Sequence, residues 1–297
     1  MAVSSADGSL LARSGDIDRP FYLRSSAKPF QAYVSQSSGA DLEPVELAMA
    51  SASHRGFPVH IALVESMLAK AGLDETSLQC PVAWPLGEVA MRQVLAQGES
   101  EPRRIWSDCS GKHACFLRAC VANGWPLETY LQPDHPLQKR IVEFVSELGE
   151  HAVAPVGVNG CGAPVLRTTA RVMSVLFARL ATDPRLAEVF SVMHRYPALV
   201  SANGETDACI ATALNAAAKG GALACMGIGL DWGVGVAVKS WDGVYEAADV
   251  GAIAALEAMG WPSAPASKFL EPVGRPVMFG GGKPVGHMEP RLVLTMS

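Results

Sequence analysis

The sequence has no apolar run approaching the ~18 residues that a membrane-spanning helix requires, so a transmembrane helix is excluded. No Lys/Arg run exceeds two consecutive residues, and the net charge is −5 with a pI near 5.8, which argues against nucleic acid or an anionic membrane as partner. A small neutral or polar substrate fits this surface better. Internal repeats and low-complexity tracts are absent, which sets aside solenoid and disordered classes. Cysteine is scarce and odd in number: there are seven, and Cys109, Cys115 and Cys120 crowd one short segment. That distribution suits reduced thiols or metal ligands better than a disulfide framework. The segment from Met1 to Asp16 is too polar for a secretory signal, and the expected location is the cytoplasm. What the chain does have is bulk. With 297 residues, 49% hydrophobic and 18% charged, it can bury a full core as one large domain or two intimate ones.

The stretch Arg24-Ser25-Ser26-Ala27-Lys28-Pro29 places a serine and a lysine three residues apart where a helix begins. Positions i and i+3 share a helix face, so Lys28, if neutral, can take the Ser25 proton as the hydroxyl attacks a carbonyl carbon. Burial, a second cation or the positive helix end would each favour the neutral amine. Pro29 is tolerated only in a first turn, which supports a start near Ser25 or Ser26 and a helix from Lys28 to about Val34. The alternative is a capping serine and a solvated lysine.

Helical spacing recurs over Glu43–Ala52, Val59–Lys70 and Glu88–Gln97. The first of these runs into Ala52-Ser53-His54-Arg55-Gly56, a hydroxyl, an imidazole and a guanidinium at a helix end. That is a place for chemistry, or an ordinary C-cap with Gly56 left-handed. In Ser107-Asp108-Cys109-Ser110-Gly111-Lys112-His113, any of Asp108, Cys109 and Ser110 can open a helix that runs to Val121 and closes at Asn123-Gly124. Cys109 and Lys112 then share a face. A thiol so placed is a nucleophile, a thiolate ligand for a soft metal, or a small buried residue. Val153–Val158 reads as a buried strand breaking into Asn159-Gly160-Cys161-Gly162, where the glycines leave Cys161 at a turn edge, able to meet Cys109 around one zinc ion. His113, one position from Lys112, points to another side of the helix.

These segments, with Pro133-Asp134-His135-Pro136-Leu137-Gln138 and Gly160-Cys161-Gly162-Ala163-Pro164, occur in the same order in the L-asparaginase II family, the Rhizobium-type asparaginases, which the sequence resembles over nearly its whole length. The resemblance implies an α/β (α+β) fold similar to serine β-lactamases and glutaminases, with an antiparallel sheet covered by helices and a helical subdomain. The chain would be one catalytic domain over 1–297, its helical part at roughly 40–200 set against a sheet formed by both chain ends. It further implies a homodimer that hydrolyses L-asparagine to aspartate and ammonia. The matching catalytic residues are Ser25, Lys28 and Ser53, and the matching zinc ligands, for one Zn2+ per chain, are Cys109, Lys112 and Cys161. Arg24, His54, Asn159 and Cys225 are expected to line the substrate pocket.

The sequence departs from the family at sensitive places. The family's second lysine lies in Ala-Lys-x-Gly-Ala-Glu-Gly; read against Ala224-Cys225-Met226-Gly227-Ile228-Gly229, Cys225 stands at the lysine position and the glutamate is lost. The aspartate before Gly-Cys-Gly is Asn159, and the Gly-x-x-Arg-x-Asp turn reads Gly204-Glu205-Thr206-Asp207 with no arginine. Relative to the family, part of the leading strand, including a segment that can help to form the pocket, is expected to be lacking, whether through an incomplete gene model or a real truncation, and the strand ahead of Asp7-Gly8 is expected to have a short or absent partner. Ala222–Leu230, Val234–Ser240 and Val244–Glu246 read as antiparallel strands, Ala247–Met259 as a helix, and Pro276–Met288 as completing the sheet around a Gly280-Gly281-Gly282 turn. Two function classes follow: an amidohydrolase using Ser25 and Lys28, or a relative whose hydrolysis is lost or altered because Cys225 replaces the lysine, leaving amino-acid binding or acyl transfer.

Overall fold

The computed structural model describes the backbone of residues 1–297 and every side chain except those of residues 155 and 156. The chain is mixed α/β. Its eleven strands are β1 Ala2–Ser5, β2 Leu10–Arg13, β3 Phe21–Tyr22, β4 Pro155–Val158, β5 Pro164–Thr168, β6 Ala216–Gly221, β7 Cys225–Leu230, β8 Val234–Lys239, β9 Val277–Gly280, β10 Lys283–His287 and β11 Thr295–Met296. The main sheet runs β11-β2-β1-β8-β7-β6, antiparallel throughout. Strand β1 is paired on both sides, with β2 across the Asp7-Gly8 turn and with β8, which corrects the expected short or missing partner. The helices are α1 Lys28–Ser35, α2 Pro44–Ala50, α3 Pro58–Ala69, α4 Glu88–Ala96, α5 Ser110–Asn123, α6 Pro136–Gly149, α7 Ala170–Thr182, α8 Ala187–Arg195, α9 Pro197–Val200, α10 Thr206–Ala213, α11 Tyr245–Ala258 and α12 Ala264–Gly274. Among the described residues no helix is long and apolar enough to cross a membrane.

Side-chain alternation gives the sheet two unlike faces. One is built from glycine and alanine, and α7 lies directly on it: a Cβ at Gly227 would meet the Phe177 ring at 2.1 Å, and one at Gly235 would meet the Ser174 carbonyl at 1.8 Å. The other carries Met226, Ile228, Val236 and Val238, buried against Ala252, Ile253 and Leu256 of α11 and Leu270 of α12. Two elements depart from the sequence reading. Val244–Glu246 is no strand; Val244 is the N-cap of α11 and Tyr245 its first residue. Strands β9 and β10 pair only with each other, through a turn at Gly281 and Gly282, instead of completing the main sheet.

Sequence reading missed the short strands β3, β5 and β11 and, most consequentially for the site, β6. Ala216-Ala217-Ala218-Lys219-Gly220-Gly221 has little β-branched or aromatic character, and its place comes from the full antiparallel ladder with β7.

Candidate active site

Three chain segments are brought together at the sheet edge beside β6. The first leaves β3, passes through a 3₁₀ turn at Arg24–Ala27 and enters α1. Arg24 takes the left-handed conformation, with φ 52°, a sparsely populated region for a side-chain-bearing residue that sharply redirects the chain before Ser25. The second is the end of α2, which can approach α5 because position 111 is glycine: a Cβ there would meet the Met49 carbonyl at 2.6 Å. His54 then fastens that segment to α5. Its N–H donates to the Asp108 carbonyl at 3.2 Å, and its Nε2 meets the Ser110 hydroxyl at 2.8 Å. The third is the turn between β4 and β5, closed by Asn159 N–H to Ala163 O at 2.8 Å, with Gly162 at φ 89°.

Two adjoining cavities result, of about 400 and 130 Å3. Ser25, Asp108 and Ala222 line both. Ser53, Arg55, Lys219 and Cys225 line the larger; Arg24, Lys28, Asn159 and the cysteine pair line the smaller. His54 lines neither: it is fully buried, with its pKa pushed down to about 3 chiefly by burial, so it is a neutral clamp on the loop rather than a pocket residue.

Lys28 is 1% exposed, but its partner is not the expected one. Its Nζ donates to Ser53 Oγ at 2.9 Å and to the Ala52 carbonyl at 2.7 Å, and lies 3.6 Å from an Asp108 carboxylate oxygen. Lys28 makes no hydrogen bond to Ser25 among the described residues, although both line the smaller cavity. The amine is also not held neutral. Burial is the largest influence and lowers its pKa, but Cys109, Asp108 and Cys161 together lift it above the ordinary lysine value. The same ion pair brings Asp108, which burial alone would raise, below the usual carboxylate range.

Cys109, Lys112 and Cys161 do come together. Lys112 Nζ lies 3.1 Å from the Cys161 sulfur, and Cys109 lines the same small cavity. The Cys109 pKa is pushed up and that of Cys161 far down, first by its pairing with Cys109 and then by Lys112, so negative charge is favoured on Cys161. Beside them His113 is fully buried. Its Nδ1 meets the Tyr130 hydroxyl at 2.7 Å, while its Nε2 makes no hydrogen bond among the described residues. Among those residues no three of His, Cys, Asp and Glu form a cation cage, and a metal ion held by the two cysteines would need Lys112 as a third donor. Two sulfurs and an amine on one small cavity, beside an imidazole nitrogen without a partner, fit a borderline-soft divalent ion such as Zn2+.

The position assigned to Cys225 needs correction. Cys225 is 2% exposed, with its sulfur 3.5 Å from the Leu23 carbonyl and 3.6 Å from Ser26 Oγ; burial raises its pKa. Opposite it in register, a Cβ on Gly221 would already meet this sulfur at 2.6 Å. The lysine of this wall is Lys219, on β6. It is 2% exposed, lines the larger cavity with both serines, and pairs with Asp207 at 3.1 Å. Ala218-Lys219-Gly220-Gly221-Ala222 carries the Ala-Lys-x-Gly-Ala order, with Leu223 at the glutamate position. The signal was in the sequence: a lone lysine inside a run of alanine and glycine is a charge that the strand must bury. Ser201 and Asp249, which also line this cavity, have no such local signal, whereas Asp207 stands in the turn at Gly204-Glu205-Thr206-Asp207.

The site therefore unites two serines and two buried lysines beside a dithiol-lysine cluster, and comparison with known proteins bears on what such a site belongs to. Two crystal structures of Mglu resemble the chain. One, in its native form, gives a TM-score of 0.47 at 15% identity over 87% of this chain and 60% of that one. The other, in its tris and glutamate form, gives 0.49 at 16% identity over 88% and 59%. The chain thus spans about three fifths of the length of those structures. No curated protein matches the sequence. The sequence model of L-asparaginase II, by contrast, matches residues 1–290, which take in every segment of this site, and on that match the chain belongs to the L-asparaginase II family.

Proposed function

We propose that this chain is an amidohydrolase that cleaves the side-chain amide of L-asparagine, giving L-aspartate and ammonia, with Ser25 as nucleophile. The observation that carries the reading is the gathering of Ser25, Ser53 and Lys219 on one cavity, with Lys28 hydrogen-bonded to Ser53. Ser25 Oγ attacks the amide carbon while its proton passes to Ser53 and the Ser53 proton to Lys28, which must first give up its own proton to act as the neutral amine; the C–N bond then breaks and the proton leaves with the amide nitrogen as ammonia. Water then adds to the aspartyl ester on Ser25, the ester bond breaks, and aspartate departs as the serine regains its proton. Lys219, fixed by Asp207, supplies positive charge to the other side of the cavity. The reading of a diverged relative with lost hydrolysis depended on a missing lysine, and Lys219 removes that ground. Ammonia release from L-asparagine by the wild-type chain, reduced by at least ~1,000-fold in Ser25→Ala, is the expected result. No release by the wild-type chain, or an unaffected Ser25→Ala, would reject the reading.

Cys109, Lys112 and Cys161 would hold one Zn2+ per chain. When bound there, the ion supplies positive charge that offsets the thiolate charge acting on the Lys28 proton. Lys112 must then bind as the neutral amine, and Cys109 must release its proton. Elemental analysis of protein prepared without chelator should find about one zinc per chain, falling several-fold in Cys161→Ser. A content far below one, or unchanged in that variant, would leave the cluster a packing feature of the α5 N-terminus.

A further inference from the structure

The charges around the larger cavity do not cancel. Lys28 lies 3.6 Å from Asp108, Arg55 pairs with Glu205 at 2.7 Å and Lys219 with Asp207 at 3.1 Å. Asp249, in the second turn of α11, lines the same cavity and has no cation partner among the described residues. Its neighbours are the Thr206 hydroxyl and the carboxylates of Asp207, Glu205 and Glu246, and burial followed by Asp207 pushes its pKa up to about 7. A carboxyl group kept in so unfavourable a setting has a poor structural role: it closes no ion pair with a neighbouring element.

A second observation lies on the same cavity. Ser201 is 4% exposed, and its hydroxyl has no hydrogen-bond partner among the described residues. Leaving a buried hydroxyl unmet costs about 1–3 kcal/mol, so an orphan of this kind on a cavity wall marks a place where a ligand completes the bonding. The wall is tied to the reacting groups, since Ser53 N–H donates to the carbonyl of Val200, the residue before Ser201, at 2.9 Å.

An uncompensated carboxyl and an unmet hydroxyl together call for a group with positive charge and more than one N–H donor. We propose that Asp249 and Ser201 form an ammonium subsite that receives the α-ammonium group of the substrate and so selects α-amino-acid amides over plain amides. This rests on the amidohydrolase reading and extends it to a specificity-determining pair. Asp249 accepts two N–H bonds or one charged contact from the ammonium, and Ser201 accepts a further one.

The test uses equilibrium binding, which does not depend on turnover. L-aspartate and succinate differ only in the α-ammonium group. Calorimetry on the wild-type chain should show L-aspartate binding at least ~10-fold more tightly than succinate, the effect of about one charge-assisted hydrogen bond. Asp249→Asn, which keeps the side-chain shape, should abolish that preference while leaving succinate affinity within ~3-fold, and Ser201→Ala should reduce L-aspartate binding alone by a few-fold. Equal affinity of the wild-type chain for the two acids, binding of neither, or an equal loss of both in Asp249→Asn would overturn the subsite. Failure of the amidohydrolase reading shows separately, as a wild-type chain that releases no ammonia from L-asparagine.

Discussion

Lys28→Met should lower kcat for amide hydrolysis by at least ~100-fold, the low end of what one positioned proton-transfer group contributes, while KM changes far less. The reason is geometric. Lys28 Nζ is the only side-chain cation hydrogen-bonded to Ser53 Oγ among the described residues, and the same amine holds the Ala52 carbonyl that fixes the Ser53 loop. Methionine fills similar volume but offers neither a proton site nor a donor. Because the substitution also removes the ion partner of Asp108, the fold is checked by circular dichroism and thermal midpoint alongside turnover. A folded Lys28→Met with turnover within ~3-fold of wild type would mean that proton transfer runs elsewhere.

Lys219→Met is expected to have a comparable effect on turnover, but with a stability penalty of its own. Lys219 and Asp207 are 3% and 12% exposed at their side chains, and breaking a buried pair from one side destabilises by about 3–5 kcal/mol. The double variant Lys219→Met with Asp207→Asn removes the stranded charge. It should therefore recover most of the lost thermal midpoint and none of the lost activity. If the double variant regains turnover, the lysine acts only as a structural counter-ion. Introducing a lysine at position 225 is expected to give no activation: that side chain packs against Ser26, Leu23 and the Gly221 backbone, and an ammonium there would be overpacked.

Much of this architecture is legible in the residues themselves. Periodicity places α1, α3, α4 and α5 to within a few residues, because each has a capping signal or a terminal glycine beside a regular apolar pattern; Gly124 closes α5 at φ 62°. The meeting of Cys109, Lys112 and Cys161 is also foreshadowed, since a glycine turn leaves little choice about where Cys161 sits. Three things escape sequence reasoning for physical reasons. Strand β6 is made of small residues whose propensity is weak, and only pairing with β7 fixes it. The partner of Lys28 is set by the approach of the Ala52–Ser53 segment, a tertiary contact that spacing within Arg24–Lys28 does not reveal. Ser201, Asp207 and Asp249 sit on separate elements, and their approach to one cavity is a property of the packed fold alone. The misplacement of the second lysine has a plainer source: Ala-Lys-x-Gly-Ala fits Ala218–Ala222 residue for residue, but the loss of the following glutamate to Leu223 makes the segment easy to pass over.

The central claim is that Ser25 carries the acyl group during turnover. Rapid acid quenching of the wild-type chain in the presence of saturating L-asparagine, followed by peptide mapping in the mass spectrometer, measures it directly. The account predicts an aspartyl ester on the peptide that contains Ser25, absent from Ser25→Ala. An aspartyl adduct on Ser53 or on Cys109 instead, or ammonia release in quenched samples with no adduct on Ser25 under any condition, would contradict it.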